Sequence, residues 1–279
     1  MFDRLANGFE LAMQSWRVLR KDKELIVFPL ISGLACLAVL ATFALPLWNS
    51  SYMEVFLEEE QIPADPLLYG LMFLFYFANY FVILFFNSAL VACAIIRFRG
   101  ENPTISDGIN AACDRLPQIL GWALVSATVG VILKIIESKS EKAGKFAAAL
   151  LGTAWTVATY FVVPVLVVEK AGPGKAMKRS LAILRKSWGE ALTANFGLGI
   201  VTTIITMLAV FPIGFGIVAI GTDNVVLGSV AIGAGVCWIV LVALVSSALD
   251  AILVAALYLY AAEETVPKKF DETLLREAF

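Results

Sequence analysis

Long apolar runs with few charges constrain the fold of this 279-residue chain more than any other feature. Hydrophobic residues make up 60% of the sequence and charged residues only 16%. A bilayer core about 30 Å thick needs roughly 20 apolar residues per helix, and lipid cannot satisfy the open edge of a sheet. The sequence therefore predicts an all-α transmembrane fold, a six-helix bundle with spans near 25–48, 67–96, 116–136, 146–168, 191–211 and 225–262.

Prolines and glycines predict irregularities within these runs. Pro164 predicts a kink in the fourth span, and the stretch FPIGFG at 211–216 predicts that the fifth span ends or breaks there. The last run is too long for one straight crossing, so Gly228, Gly233 and Gly235 predict a bend or a re-entrant segment in its first part.

An amphipathic helix is predicted over 174–188, with Met177, Leu181, Leu184 and Trp188 on one face and basic residues on the other. This pattern is typical of a helix lying in a membrane interface. Similar helices are expected at 3–24 and after Thr104 or Ser106, either of which can cap the helix. The basic residues expected to contact lipid at the interface are Arg17, Arg20, Lys21, Lys178, Arg179, Arg185 and Lys186.

The amphipathic segments indicate an internal repeat. SWRVLRK from Ser15 and SLAILRK from Ser180 match at Ser, Leu, Arg and Lys, and AACDRLPQ is a weaker third copy. Each copy precedes a pair of spans. We therefore predict one integral membrane domain over 1–279, with repeats at about 1–100, 101–171 and 172–265 and a charged tail at 266–279. Chance recurrence of interfacial composition is the alternative.

The distribution of basic residues predicts the topology. With six spans, all but four of the 21 Lys and Arg residues fall on the side that holds the termini; the exceptions are Lys134, Lys139, Lys142 and Lys145. The positive-inside rule then places both termini and the amphipathic helices in the cytoplasm of a bacterial inner membrane protein.

Several function classes are disfavoured by composition. The net charge of −2 offers no excess of cations for nucleic acid. The chain has no histidine, no CxxC and no nucleotide-binding or hydrolase motif, so we expect no metal site, no cofactor and no catalytic residues. Membrane lipids with anionic headgroups are the expected partners. Protein partners and self-association stay open.

Asp250 is the most informative residue for function, because an intramembrane carboxylate is expensive and usually faces a bundle interior or a cavity. Counting from the end of the last span places it near the middle of the bilayer. NSALVAC from Asn87 resembles SSALDAI from Ser246, which predicts a polar cluster supplemented by Tyr160, Thr156 or Asn195. The cluster consists of Asn87, Ser88, Ser246, Ser247 and Asp250. It either lines a cavity or fastens helices together through hydrogen bonds.

The stretch SWRVLRKDKELIVFPLISG resembles the start of a family of uncharacterised six-span bacterial membrane proteins. ISDGINAACDRLPQILGWAL and VVPVLVVEKAGPGKAMKRSLAILRKSW are similar to the membrane domain fused to some glycerophosphodiester phosphodiesterases. The resemblance implies six helices with cytoplasmic amphipathic connectors and no catalytic activity. The predicted function is a non-enzymatic inner-membrane protein with a lipid-related, scaffolding or partner-binding role; the alternative is a transporter or channel that uses Asp250.

Overall fold

The structure is a computed structural model that describes residues 2–48, 66–138, 142–186, 191–265 and 267. Within these ranges, the side chains of 2–8, 47, 186 and 191–198 are not described. The described residues form helices and no strand. A 3-10 turn at Lys23–Ile26 leads into the second helix. The helices are α1 (Phe2–Lys21), α2 (Val27–Trp48), α3 (Pro66–Arg99), α4 (Ile105–Cys113), α5 (Leu116–Ser138), α6 (Ala143–Ala158), α7 (Val162–Glu169), α8 (Pro173–Lys186), α9 (Ala191–Met207), α10 (Val210–Gly221) and α11 (Val225–Glu263).

Six segments of the described chain are long and apolar enough to cross a membrane. They are Lys23–Pro46, Pro66–Arg99, Leu116–Ser138, Ala143–Glu169, Gly199–Gly221 and Val225–Glu263. The predicted all-α transmembrane fold is confirmed, and the chain is a multi-pass membrane protein.

The buried core lies where the second halves of α3 and α11 pack with α7. Leu90 in α3, Val165 in α7 and Ile252 in α11 are each almost fully buried. The first half of α11 instead exposes large apolar side chains such as Val226 and Val230. Such exposed apolar surface suits contact with lipid tails, whereas the other half of the helix is enclosed by protein.

Three short amphipathic helices, α1, α4 and α8, surround this core, and we call them the collar helices. α4 packs closely against α3, because a Cβ at Gly108 would lie 2.8 Å from the backbone oxygen of Ala89. Its N-terminus is closed by a capping box in which Thr104 and Asp107 bond reciprocally. The hydrogen bonds from Thr104 lower the pKa of the Asp107 carboxyl. Of the two predicted caps, Thr104 is the one used.

The fourth and fifth spans are each broken into two helices. The fourth is interrupted at residues 159–161, just before Pro164, which lies in the first turn of α7. This agrees with the predicted kink, since Pro164 has no N–H to continue the helix. The fifth breaks at Leu208 and Ala209 and continues to Gly221. The predicted break is therefore present, but it lies just before FPIGFG, and Pro212 lies in the first turn of α10, where its missing donor is tolerated.

The last run forms one continuous helix of 39 residues, so the predicted re-entrant segment was wrong. Its glycines serve packing instead. A Cβ at Gly228 would lie 2.6 Å from the Gly216 backbone oxygen in α10, and Gly235 packs against Ile213 in the same way. Small residues let helix backbones approach closely in membranes. At Gly233 nothing lies within 4 Å.

The predicted repeats and their boundaries stay a prediction, as does the tail at 266–279, most of which falls outside the described residues together with Trp188. The paired serines of the two matching copies behave alike in one respect: Ser15 in α1 and Ser180 in α8 are both fully buried. Their bonding differs, because Ser180 has partners and the Ser15 hydroxyl has none among the described residues.

Candidate functional site

A polar cavity of about 400 Å³ lies between α3, α11 and the break in the fourth span. Its polar lining comes from Asn87 on α3, Tyr160 at the break and three residues of α11, Ser246, Ser247 and Asp250. Val91, Val163, Ala243, Ala251 and Val254 supply the apolar walls. Among the described residues, neither Lys nor Arg lines the cavity, and Asp250 supplies the one carboxyl group of its lining.

The helix break brings Tyr160 to the cavity. At the break, the Phe161 N–H donates to the Ser180 hydroxyl at 3.1 Å, and that hydroxyl donates to the Ala158 backbone oxygen at 2.8 Å. Ser180 lies on collar helix α8, so one side chain satisfies two of the backbone groups that the interruption frees. Buried backbone groups need such partners. The break is therefore a stable feature of the fold, and it holds Tyr160 beside Asp250.

Two hydroxyl groups near the cavity are buried without a hydrogen-bond partner among the described residues, those of Tyr160 and Ser88. An unsatisfied buried polar group costs about 1–3 kcal/mol. Tyr160 lines the cavity, although its hydroxyl oxygen exposes almost no surface there.

The structure brings together most of the polar cluster predicted from sequence. Asn87, Ser246, Ser247 and Asp250 line the cavity, joined by Tyr160. Ser88 is fully buried and is not among the lining residues. Thr156 bonds to the Gly152 carbonyl of its own helix, and the Asn195 side chain lies outside the described residues. The predicted functional role of the cluster stays a prediction.

An apolar groove of about 540 Å³ adjoins the polar cavity. It runs between α1, α9 and α11, and its walls are almost entirely hydrocarbon. Ser246 lines both spaces, and its hydroxyl donates to the Thr202 hydroxyl at 3.1 Å. The groove is lined by Phe9, Ala12, Met13, Trp16, Val201, Thr202, Ile205, Trp238, Leu241, Val242, Val245, Ser246 and Leu249.

Hydrogen bonds between buried charged residues connect the collar helices to the core, and the sequence alone did not predict these contacts. Arg97, at the end of α3, donates two hydrogen bonds to the Asp22 carboxylate and one to the Asn102 side chain. Arg97 and Asp22 are 75 residues apart in sequence. No local pattern connects such a pair, and only the tertiary fold brings the two side chains together.

A second ionic group joins α8 to the ends of α7 and α11. Glu169 accepts from the Arg179 guanidinium at 2.8 Å and from the Tyr258 hydroxyl at 3.0 Å, through the same carboxylate oxygen. The hydrogen bond to Glu169 raises the pKa of Arg179. Arg99 and Glu263 form a longer, exposed pair at 3.4 Å. The collar end of the core is thus held by charges from several helices.

The residues predicted to contact lipid at the interface are mostly exposed. Arg179 is the exception, because it is engaged by Glu169. The Lys186 side chain is not described. Those exposed are Arg17, Arg20, Lys21, Lys178 and Arg185. These exposed side chains can reach lipid headgroups, and the predicted lipid contact stays a prediction.

Comparison with known proteins identifies a family. The sequence model of DUF6159, a family of unknown function, matches residues 67–267. The chain belongs to this family. The matched region includes every residue that lines the polar cavity of this DUF6159 protein. No curated protein sequence matches the chain, and the similarity to phosphodiesterase membrane domains stays a prediction.

Proposed function

We propose that this DUF6159 protein is a non-enzymatic lipid-binding protein of the bacterial inner membrane, with both termini in the cytoplasm. The observation that carries the proposal is the proximity of the two spaces: the polar cavity and the apolar groove lie on neighbouring faces of α11 and share Ser246 in their linings. An amphiphile has the same division between a polar head and a hydrocarbon chain. Ligand sites are typically apolar clefts with a few polar groups that fix orientation.

The groove fits the hydrocarbon part of a lipid. Its volume of about 540 Å³ accommodates part of an acyl chain, and Phe9, Met13 and Trp16 from α1 form one wall. Ordinary lipid-exposed helix surface lacks such a wall, since the groove is enclosed on three sides by α1, α9 and α11. The exposed basic residues of α1 and α8 would meet anionic headgroups around the site.

Lipid retention by wall variants tests the proposal. Leu241→Trp places a bulky ring in the groove, whereas Val240→Trp adds the same ring to an exposed position of α11 outside it. We expect native mass spectrometry to show bound lipid on the wild type and on Val240→Trp. Occupancy of Leu241→Trp should be roughly tenfold lower, equivalent to about 1.4 kcal/mol. Equal occupancy in the two Trp variants would rule the groove out as the site.

Transport is the rival function, and the exposure of Ser247 at the polar cavity favours it, since a solute could enter there. A transporter that uses Asp250 would carry protons or a small solute across proteoliposomes. Asp250→Asn would abolish that flux. Flux in the wild type and its loss in the variant would replace lipid binding by transport as the primary function.

A further inference from the structure

We infer that the polar cavity binds the primary-ammonium headgroup of a lipid drawn from the collar-side leaflet. This inference rests on the proposed lipid binding and specifies the class of lipid. It has three parts: the depth of the cavity in the bilayer, the hydrogen-bonding character of its lining, and the charge of Asp250.

The helix lengths place the cavity at the edge of the hydrocarbon. From the far end of the bundle, α11 rises roughly 38 Å from Val225 to Asp250, and α3 rises roughly 32 Å from Pro66 to Asn87. A hydrocarbon core is about 30 Å thick. Each of these stretches is therefore at least as long as the hydrocarbon core is thick, which revises the expected mid-bilayer position of Asp250.

Two further observations agree with this depth. The buried Arg97–Asp22 pair and the partly exposed Arg179–Glu169 pair lie beyond the cavity toward the collar end of α3 and α7, where this placement keeps them out of hydrocarbon. Ser180 of the amphipathic helix α8 reaches the same helix break that presents Tyr160. Amphipathic helices lie at the level of the headgroups, so the cavity adjoins the headgroups of the collar-side leaflet.

The lining favours a hydrogen-bond donor with positive charge. The Asp250 carboxylate and the Asn87 carbonyl can accept from such a donor, the two serine hydroxyls and the Asn87 amide can also donate, and no Lys or Arg among the described residues lines the cavity. A primary ammonium has three N–H donors and no acceptor. A quaternary ammonium has no N–H donor and is usually bound by a cage of aromatic rings, whereas Tyr160 is the one aromatic residue in this lining.

Charge complementarity favours a lipid whose headgroup carries a cation. An unpaired carboxylate at the edge of the hydrocarbon carries a desolvation cost that an ammonium partner offsets. A phosphatidylglycerol headgroup carries no cation and would bring a second negative charge toward Asp250. Phosphatidylethanolamine supplies the ammonium, and its acyl chain can follow Ser246 into the apolar groove. The site should therefore prefer the ethanolamine lipid.

Competition between two lipids tests this inference. The full-length protein is reconstituted in nanodiscs with equal amounts of phosphatidylethanolamine and phosphatidylglycerol, released, and analysed by native mass spectrometry. We expect the wild type to retain the ethanolamine lipid at least roughly tenfold over the glycerol lipid, because one lost charged contact corresponds to about that factor. Asp250→Asn should bind lipid without this preference. Asp223→Asn, at the turn between α10 and α11, is the matched control and should keep it.

The outcomes separate the two proposals. Bound lipid with no ethanolamine preference in the wild type, or a preference that survives in Asp250→Asn, overturns the headgroup inference and leaves lipid binding intact. A wild type that retains no lipid, with Leu241→Trp behaving identically, overturns the proposed function itself. A preference for phosphatidylcholine over phosphatidylethanolamine in a second mixture would show that charge, rather than N–H donation, is recognised, and would also overturn the inference.

Discussion

At the scale of single residues, Arg97 forms a buried ion pair with Asp22, which lies 75 residues away in sequence. Its guanidinium is about nine-tenths buried and is held by Asp22 and Asn102. Breaking a buried pair from one side leaves an uncompensated charge, which is more damaging than losing the pair as a whole. The Arg97–Asp22 contact therefore fixes where α1 meets the core, although a hydrophobic pair could be equally stable.

Arg97→Met should destabilise the protein by about 3 kcal/mol, since it leaves the Asp22 carboxylate buried and unpaired. The double variant Arg97→Met with Asp22→Leu should recover most of that loss. Thermal unfolding in detergent measures both. The control is Arg99→Met, whose pair with Glu263 is more than half exposed on the arginine side and is worth less than about 1 kcal/mol. Equal losses of stability in Arg97→Met and Arg99→Met would contradict the conclusion that the buried Arg97–Asp22 pair matters more than the exposed Arg99–Glu263 pair.

The polar cluster at the cavity could be predicted only in part from the sequence. Asn87 and Asp250 were connected through the shared Ser-Ala-Leu of two spans, and the structure places both on one cavity. Ser88 belongs to the same motif but is not part of the lining, because a rotation of about 100° per residue separates neighbours on a helix. Which helix face meets the cavity depends on packing, and a motif alone does not encode it.

At the scale of elements, the broken fourth span depends on a neighbouring helix. Ser180 supplies an acceptor for the Phe161 N–H and a donor for the Ala158 carbonyl at the interruption at 159–161. Pro164 indicates from sequence that the helix is interrupted, but the partner that stabilises the interruption lies on α8 and is visible only in the fold. The collar helix α8 thus shapes the polar cavity without lining it.

Ser180→Ala should destabilise the protein by about 1–3 kcal/mol, because it leaves the Phe161 N–H and the Ala158 carbonyl without the Ser180 hydroxyl. Ser229→Ala is the matched control: its hydroxyl bonds only to the Val225 carbonyl of its own helix, and its loss should change stability by less than about 0.5 kcal/mol. Thermal unfolding of both variants measures this difference in stability. A Ser180→Ala protein as stable as the control would show that the break is satisfied by other groups.

The hairpin of α10 and α11 offers a second test at this scale. A Cβ at Gly216 would lie 2.7 Å from the Gly228 backbone oxygen, while at Gly214 of the same helix nothing lies within 4 Å. Gly216→Ala should therefore destabilise by about 1–3 kcal/mol through overpacking, and Gly214→Ala should be neutral or stabilising by up to about 1 kcal/mol. Unfolding midpoints measure the difference. The same sign for both variants would mean that the helices do not pack as described.

At the scale of the whole molecule, sequence predicted the spans well and the interior poorly. Hydropathy identifies a span because each residue contributes independently to its transfer into lipid. The break in the fifth span lies at Leu208 and Ala209, just before FPIGFG, because Pro212 is tolerated in the first turn of a helix. The continuity of α11 was missed because Gly228 and Gly235 serve close packing with α10, a role that composition cannot distinguish from flexibility.

The orientation of the molecule follows from charge and carries the last prediction. If the positive-inside rule holds, the exposed Cys113 at the end of α4 faces the cytoplasm. With Cys36, Cys93 and Cys237 replaced by alanine, a membrane-impermeant maleimide should label Cys113 in inverted vesicles and not in intact spheroplasts. Lys142→Cys, introduced with all four native cysteines replaced, should behave oppositely, because it precedes α6 at the far end of the bundle. The inverse pattern would place the collar helices outside and the ammonium-binding cavity in the outer leaflet, where the lipid available to Asp250 would differ.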